Sequence, residues 1–94
     1  METTRNELRI TAAGSAEILH ANLKRKAVYI TNISGASKTI AKGDAPAATN
    51  AGIVIPAGAT WYETDSEGFT CWRGAIQLYD VGAGSIAISE TVRI

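Results

Sequence analysis

Lys26-Ala27-Val28-Tyr29-Ile30-Thr31-Asn32-Ile33 is the stretch on which the fold turns. Read as a strand, it sends Val28 and Ile30 to one face and Tyr29, Thr31 and Ile33 to the other. Apolar side chains on both faces describe a strand covered on two sides, or one whose second face meets another subunit. Outward from it the same period of two recurs. Glu7-Leu8-Arg9-Ile10-Thr11 alternates, with Leu8 and Ile10 opposite the charges. Lys38–Lys42 centres on Ile40, and Ile53-Val54-Ile55 is stopped by Pro56-Ala57-Gly58. Thr60–Asp65, Phe69–Arg73, Ala75–Val81 and Ser85–Ile94 follow, separated by Ser66-Glu67-Gly68, Gly74 and Gly82-Ala83-Gly84. In the last run Ile86, Ile88, Val92 and Ile94 share a face that Glu90 interrupts. Ser15–Leu23 reads two ways: a short helix capped by Ser15, or a strand through Ala16, Ile18 and His20.

Composition agrees with the pattern. Eleven Ile, four Val and ten Thr stand against four Leu. Branching at Cβ restricts χ1 on a helical turn and suits a pleated surface. The expected fold is therefore all-β: a single β-sandwich or small jelly-roll-like barrel of about eight short antiparallel strands. The 94 residues make one domain, 1–94, with polar Met1–Asn6 expected as a flexible N-terminal arm. At that size the folded surface should be roughly 5,200 Å², which leaves room for one modest core and little for a deep cleft. Nine basic and nine acidic residues cancel to a net charge of zero, so neither a basic stripe for duplex binding nor strong self-repulsion is expected. No apolar run approaches the length of a membrane span, and no signal-peptide core is present, so no membrane partner is expected.

Catalytic chemistry finds few residues to stand on. One His and one Cys fall short of a His/Cys metal set, and neither a metal nor a cofactor is expected. A His20–Cys71 dyad competes with a buried thiol at Cys71 and a strand-end role for His20. Glu63, Asp65 and Glu67 are spaced by two. They could act as paired carboxylates or hold Ca²⁺, but they fit better as an acidic edge that discourages wrong strand pairing. Gly82-Ala83-Gly84-Ser85 precedes a strand, not a helix, and so reads as a hairpin turn, not a phosphate loop. Asn32-Ile33-Ser34 matches a glycosylation acceptor and carries no weight without a secretory signal. No catalytic residue is assigned, and the chain is expected not to be an enzyme.

Binding residues are easier to nominate. Trp61, Tyr62, Phe69 and Trp72 crowd into a short stretch, and in a strand Trp61 and Tyr62 must point to opposite faces. Core packing of all four, an interface role for at least one, and a sugar-stacking platform all remain open. Lys24-Arg25-Lys26 is the one basic run: a contact for nucleic acid, though no second basic cluster lies nearby in sequence, an anchor on an acidic protein surface, or, as favoured here, a solvated strand entry. The loop Gly43–Gly52, with Asp44, Pro46 and Asn50, is long for a hairpin, and long ordered loops tend to carry function. The interface candidates are accordingly Trp61, Tyr62, Trp72, Lys24, Arg25, Lys26, Asp44, Pro46 and Asn50.

The segment Ala21-Asn22-Leu23-Lys24-Arg25-Lys26-Ala27-Val28-Tyr29-Ile30-Thr31-Asn32-Ile33-Ser34 resembles a pattern common in small virion proteins of tailed bacteriophages. There a segment of the type A-N-x-x-R-x-x-hydrophobic-x-I-x-N-x-S enters the first central strand. Gly52-Ile53-Val54-Ile55-Pro56-Ala57-Gly58 is similar to the turn that follows, and Gly74-Ala75-Ile76 and Ile86-Ala87-Ile88-Ser89-Glu90 resemble the last two strands. The resemblance implies a β-sandwich structural protein of the particle, foremost a capsid decoration (cement) protein that docks on major capsid subunits and stabilises the shell. It would be made in the host cytoplasm and reside in the virion, on the capsid surface first of all. Its partners would be the major capsid protein or other virion proteins, and copies of itself in a homo-oligomer, with no specific nucleic acid. A neck, tail or fibre adaptor is the alternative within the virion, and a carbohydrate-binding module the alternative outside it.

Overall fold

The computed structural model describes residues 1–48, 50–80, 82 and 84–94. Eight strands form in chain order: β1 (Glu2–Thr11), β2 (Gly14–Leu19), β3 (Arg25–Asn32), β4 (Lys38–Lys42), β5 (Ile53–Ile55), β6 (Thr60–Thr64), β7 (Ile76–Asp80) and β8 (Gly84–Arg93). They make two four-stranded antiparallel sheets, ordered β1-β8-β3-β6 and β2-β7-β4-β5. The first with the last, the second with the seventh, the third with the sixth and the fourth with the fifth all pair. A long hairpin rolled over on itself gives this nesting, which is the jelly-roll connectivity. The sequence expectation of a small all-β sandwich holds, and the accessible surface is 5244 Å².

The core lies between the sheets. Val28, Ile30, Ile86 and Ile88 from the first sheet meet Ile18, Leu19, Ile40, Ile55, Ile76 and Leu78 from the second. Apart from the neighbours Ile18 and Leu19, each comes from the inward half of a period-two pattern, so the β-branched alternation read along the chain becomes the filling of the sandwich. Two β-bulges break that period. One, between Glu17 and Leu19, lets the consecutive Ile18 and Leu19 both reach the core. This resolves Ser15–Leu23: it is a strand as far as Leu19, and its helix-like spacing of apolar residues comes from the bulge. The other, between Arg25 and Ala27, changes the side to which Arg25 points.

Three expectations need correction. Met1–Asn6 is not a free arm, because β1 is laddered to β8 from Glu2 opposite Arg93 to Thr11 opposite Gly84. Main-chain pairing holds this edge strand, helped by the side-chain bonds of Thr4 to Thr91 and Arg5 to Glu90, so its side chains can stay polar. Phe69–Arg73 is not a strand; only Phe69 makes an isolated bridge, to Ser66. The end of the expected strand Ala75–Val81, and the centre of the turn Gly82-Ala83-Gly84, lie outside the described residues. Among the described residues there is no helix, hence none long and apolar enough to cross a membrane.

Candidate functional site

The interior polar groups explain which nominated residues are spent on the fold. Arg25 is fully buried, at 0% exposure. Its Nε donates to Glu90 Oε2 at 2.7 Å, Nη1 to the carbonyls of Trp72 (3.0 Å) and Gly74 (2.9 Å), and Nη2 to the His20 carbonyl (2.7 Å). One guanidinium thus ties β8, the β2–β3 connection and the segment before β7 together, using its planar fork. The interface expectation for Arg25 is corrected: the bulge after it turns the side chain inward, onto the Glu90 that had interrupted the apolar face of β8. Lys24 remains exposed, while Lys26 lies 3.6 Å from Asp65.

The segment after β6 is organised by carboxylates. The backbone N–H groups of Cys71 and Trp72 donate to Asp65 (2.9 Å) and Glu63 (2.8 Å). These carboxylates take the place of a neighbouring strand, and for that reason Phe69–Arg73 does not join a ladder. The acidic-edge reading of Glu63 and Asp65 is corrected with it. The Cys71 N–H is the main reason the Asp65 carboxyl ionises below its ordinary range, with Arg73, 2.6 Å away, adding to the effect. The Cys71 thiol is pushed up by burial and by the adjacent Asp65 carboxylate, and its Sγ donates to the Arg25 carbonyl at 3.5 Å. His20 instead lies on the surface beside Glu17. The two residues of the conceivable dyad are thus directed to different partners.

Trp61 and Trp72 both pack against the core from its rim, and the Lys42 ammonium sits 5.9 Å from each ring centroid. Trp72 Nε1 donates to the Ala75 carbonyl at 2.9 Å, and Lys42 also pairs with Glu63 at 2.5 Å. Neither tryptophan is a free platform. Tyr62 is: it is 60% exposed and stacks on Tyr29, with centroids 5.3 Å apart.

The Gly43–Gly52 loop folds back over the outer face of the second sheet. Ala47 is buried there and its N–H donates to Ser15 Oγ at 2.9 Å. Gln77 Nε2 donates to the Gly43 carbonyl at 3.1 Å, and Asn50 N–H to Thr39 Oγ1 at 3.1 Å. Asp44, Pro46 and Asn50 keep their side chains exposed on top of this cover. Gly52 closes the loop at φ +152°, where an added Cβ would lie 2.4 Å from the Ile40 carbonyl oxygen. Asn32 does a comparable job at the other end. Its Nδ2 donates to the carbonyls of Ala36 (2.7 Å) and Ile55 (2.9 Å), while its Oδ1 accepts from the Ser34 N–H and hydroxyl. The Asn-x-Ser string is a buried turn lock joining β3 to the strand of the opposite sheet.

The outer face of the first sheet has no such cover. Its rows follow from the register. Leu8 stands opposite Ala87, which stands opposite Thr31 and then Thr60; Asn6, Ser89, Tyr29 and Tyr62 form the next row, and Ile10 faces Ser85. Leu8 is 67% and Ile10 81% exposed. Alternation in β1 separates Leu8 and Ile10 from Glu7 and Arg9 but does not say which pair faces inward. The structure turns the charges in, where Arg9 Nη1 donates to the Ile18 carbonyl at 2.9 Å. These rows carry no charged side chain, although 19% of the chain is charged. A groove of about 340 Å³ runs between Leu8 and Tyr29, floored by Ala87 and Ser89. Among the described residues no group of three or more His, Cys, Asp or Glu is placed to hold a metal ion.

No protein-family model and no curated protein matches the chain. Among solved structures it aligns, over 99% of its length and 88% of the other chain, with a chain from work titled "Bacillus endospore appendages form a novel family of disulfide-linked pili". The TM-score is 0.56 at 16% sequence identity, so the likeness is one of fold.

Proposed function

We propose that this chain is a non-enzymatic structural subunit of a larger protein assembly, and specifically a decoration protein of a tailed-phage capsid that docks on major capsid subunits and stabilises the shell. The observation that carries the reading is the outer face of the first sheet: uncharged across its central rows, apolar in parts and uncovered, on a domain whose other sheet has its outer face partly covered by the Gly43–Gly52 loop. A lone soluble domain would be expected to carry charge there. The interior supports it too, since the polar groups with unusual surroundings (Arg25, Glu90, Asp65 and Asn32) are engaged in holding segments together.

The likeness to a chain of pili supports the coarser statement, a subunit that assembles. It does not extend to the linkage named for those pili. Cys71 is the single cysteine here and is buried, and one sulfur per chain could join at most two copies. The phage assignment rests on the resemblance carried by Ala21–Ser34 and the later strands. On a shell, exposed Lys24, Asp44, Pro46 and Asn50 supply polar contacts. Binding to the assembled state alone shifts its stability by mass action, and many copies acting together need only modest individual interfaces. Of the three side chains a carbohydrate module would use, Trp61 and Trp72 are drawn into the rim of the core and only Tyr62 stays exposed.

Copy number per particle, by quantitative mass spectrometry of purified virions, tests the reading. Hundreds of copies are expected. A dozen or fewer would replace decoration with a neck, tail or fibre role, and absence from the particle would overturn the virion assignment.

A further inference from the structure

We propose that the occupant of the uncovered face of the first sheet is a second copy of this same chain, packed face to face about a two-fold axis. The inference rests on the assembly reading above and names a second copy as the partner for that surface, leaving contact with the shell to Lys24, Asp44, Pro46 and Asn50. Shape is the first reason. The face carries a ridge, the stacked Tyr29 and Tyr62, beside a groove floored by Ala87 and Ser89 and walled on its far side by Leu8. A two-fold axis seats the ridge of each copy in the groove of the other, and self-complementarity of this kind is what an isologous interface requires.

Charge is the second reason. The central rows of the face hold Thr, Ser, Ala, Asn, Leu, Ile and Tyr, and the charged pair Glu2 and Arg93 stands only at its far end, so the centre offers nothing to steer or pair a charged partner surface. They meet their own kind without repulsion, and a net charge of zero adds none. Area is the third. Four strands about 4.8 Å apart and four alternate positions along each give a projected footprint of roughly 500 Å² per copy. With side-chain relief, two copies together would bury about 1,200 Å², at the lower end of specific interfaces and fitting micromolar affinity. Sheets packed at their usual spacing of about 10 Å need small residues between larger ones, as Ala87 and Ser89 lie between Leu8 and Tyr29.

Sedimentation equilibrium of the purified chain from about 1 to 200 µM tests this. A dimer with a micromolar Kd is expected, unchanged between low and high salt because no ion pair holds it. Ala87→Arg, which fills the groove, should be monomeric throughout. Tyr62→Ala, which shortens the ridge, should weaken association at least tenfold. Val54→Arg on the outer face of the other sheet should leave the dimer intact. Circular dichroism melts establish that each variant is folded, and should Ala87→Arg fail to fold, Tyr62→Ala carries the test. A wild-type chain that stays monomeric, a dimer indifferent to both face variants, or one that dissociates as salt rises would overturn the proposal. The readouts separate from function: a monomer present in hundreds of copies per particle overturns the dimer and leaves decoration standing, whereas a dimer absent from particles does the reverse.

Discussion

Arg25→Ala removes a guanidinium that donates to four acceptors at 2.7–3.0 Å. The Glu90 carboxylate would keep only Arg5, at 3.2 Å, and the carbonyls of His20, Trp72 and Gly74 would lose their donor. Breaking one member of a buried, hydrogen-bonded ion pair costs about 3–5 kcal/mol. A domain of this length is stable by roughly 5–14 kcal/mol in total, so the variant should sit near the edge of folding. Arg25→Lys keeps the charge but reaches fewer of the acceptors, and should lose about 2–3 kcal/mol. Equilibrium urea unfolding, followed by the fluorescence of Trp61 and Trp72, measures both. With a slope of about 1–1.5 kcal/mol per molar, the midpoint for Arg25→Ala should fall by at least about 2 M without a change in slope. A midpoint displaced by less than about 0.5 kcal/mol in equivalent stability would refute the reasoning. It would return the side chain to solvent, as part of the Lys24–Lys26 basic run.

Two further outcomes concern the rest of the core. Ile30→Ala and Ile88→Ala, both fully enclosed between the sheets, should each cost about 2–5 kcal/mol by opening a cavity; chemical denaturation within 1 kcal/mol of wild type would contradict that packing. Asp80 concerns acid stability. Burial alone would raise its carboxyl pKa, but the Lys38 ammonium at 2.7 Å, the Thr11 hydroxyl at 2.5 Å and the Gly82 N–H outweigh it and hold the group below its ordinary value. The folded state therefore binds this proton less readily than the unfolded chain. Its contribution is complete above the unfolded carboxyl pKa of about 4 and is lost as pH falls through the lower folded value. Melting temperatures should decline below about pH 4, and Asp80→Asn, already destabilised at neutral pH by leaving Lys38 buried without its partner, should decline less; an identical acid slope in the two proteins would count against the pairing.

Much of this architecture is written locally. The period of two in Val28–Ile33, in Lys38–Lys42 and in Ser85–Ile94 is a property of the backbone pleat, and Gly or Pro clusters end strands wherever they fall. The all-β class and most strand positions follow from those two facts. What local pattern does not carry is the face a strand turns inward and the partner of a buried charge. Leu8 and Ile10 lie outside and Arg9 inside because β1 sits at the edge of its sheet, where the inward side meets the Ile18 carbonyl. Lys38 and Asp80, 42 residues apart in sequence, meet only because β4 and β7 are neighbours in the second sheet.

Arg25 shows the division most sharply. In sequence it belongs to a basic run and, by strict alternation, to the outward face shared by Ala27, Tyr29 and Thr31. One bulged residue reverses its direction and brings it against Glu90, 65 positions away. The sequence by itself determined most of the strands, their alternation and the want of charge in Thr60, Tyr62, Ser85, Ala87 and Ser89. Only the tertiary structure gathered those residues with Leu8, Ile10 and Tyr29 into one uncovered face, because strand order is set by long-range pairing and the period of two is blind to it.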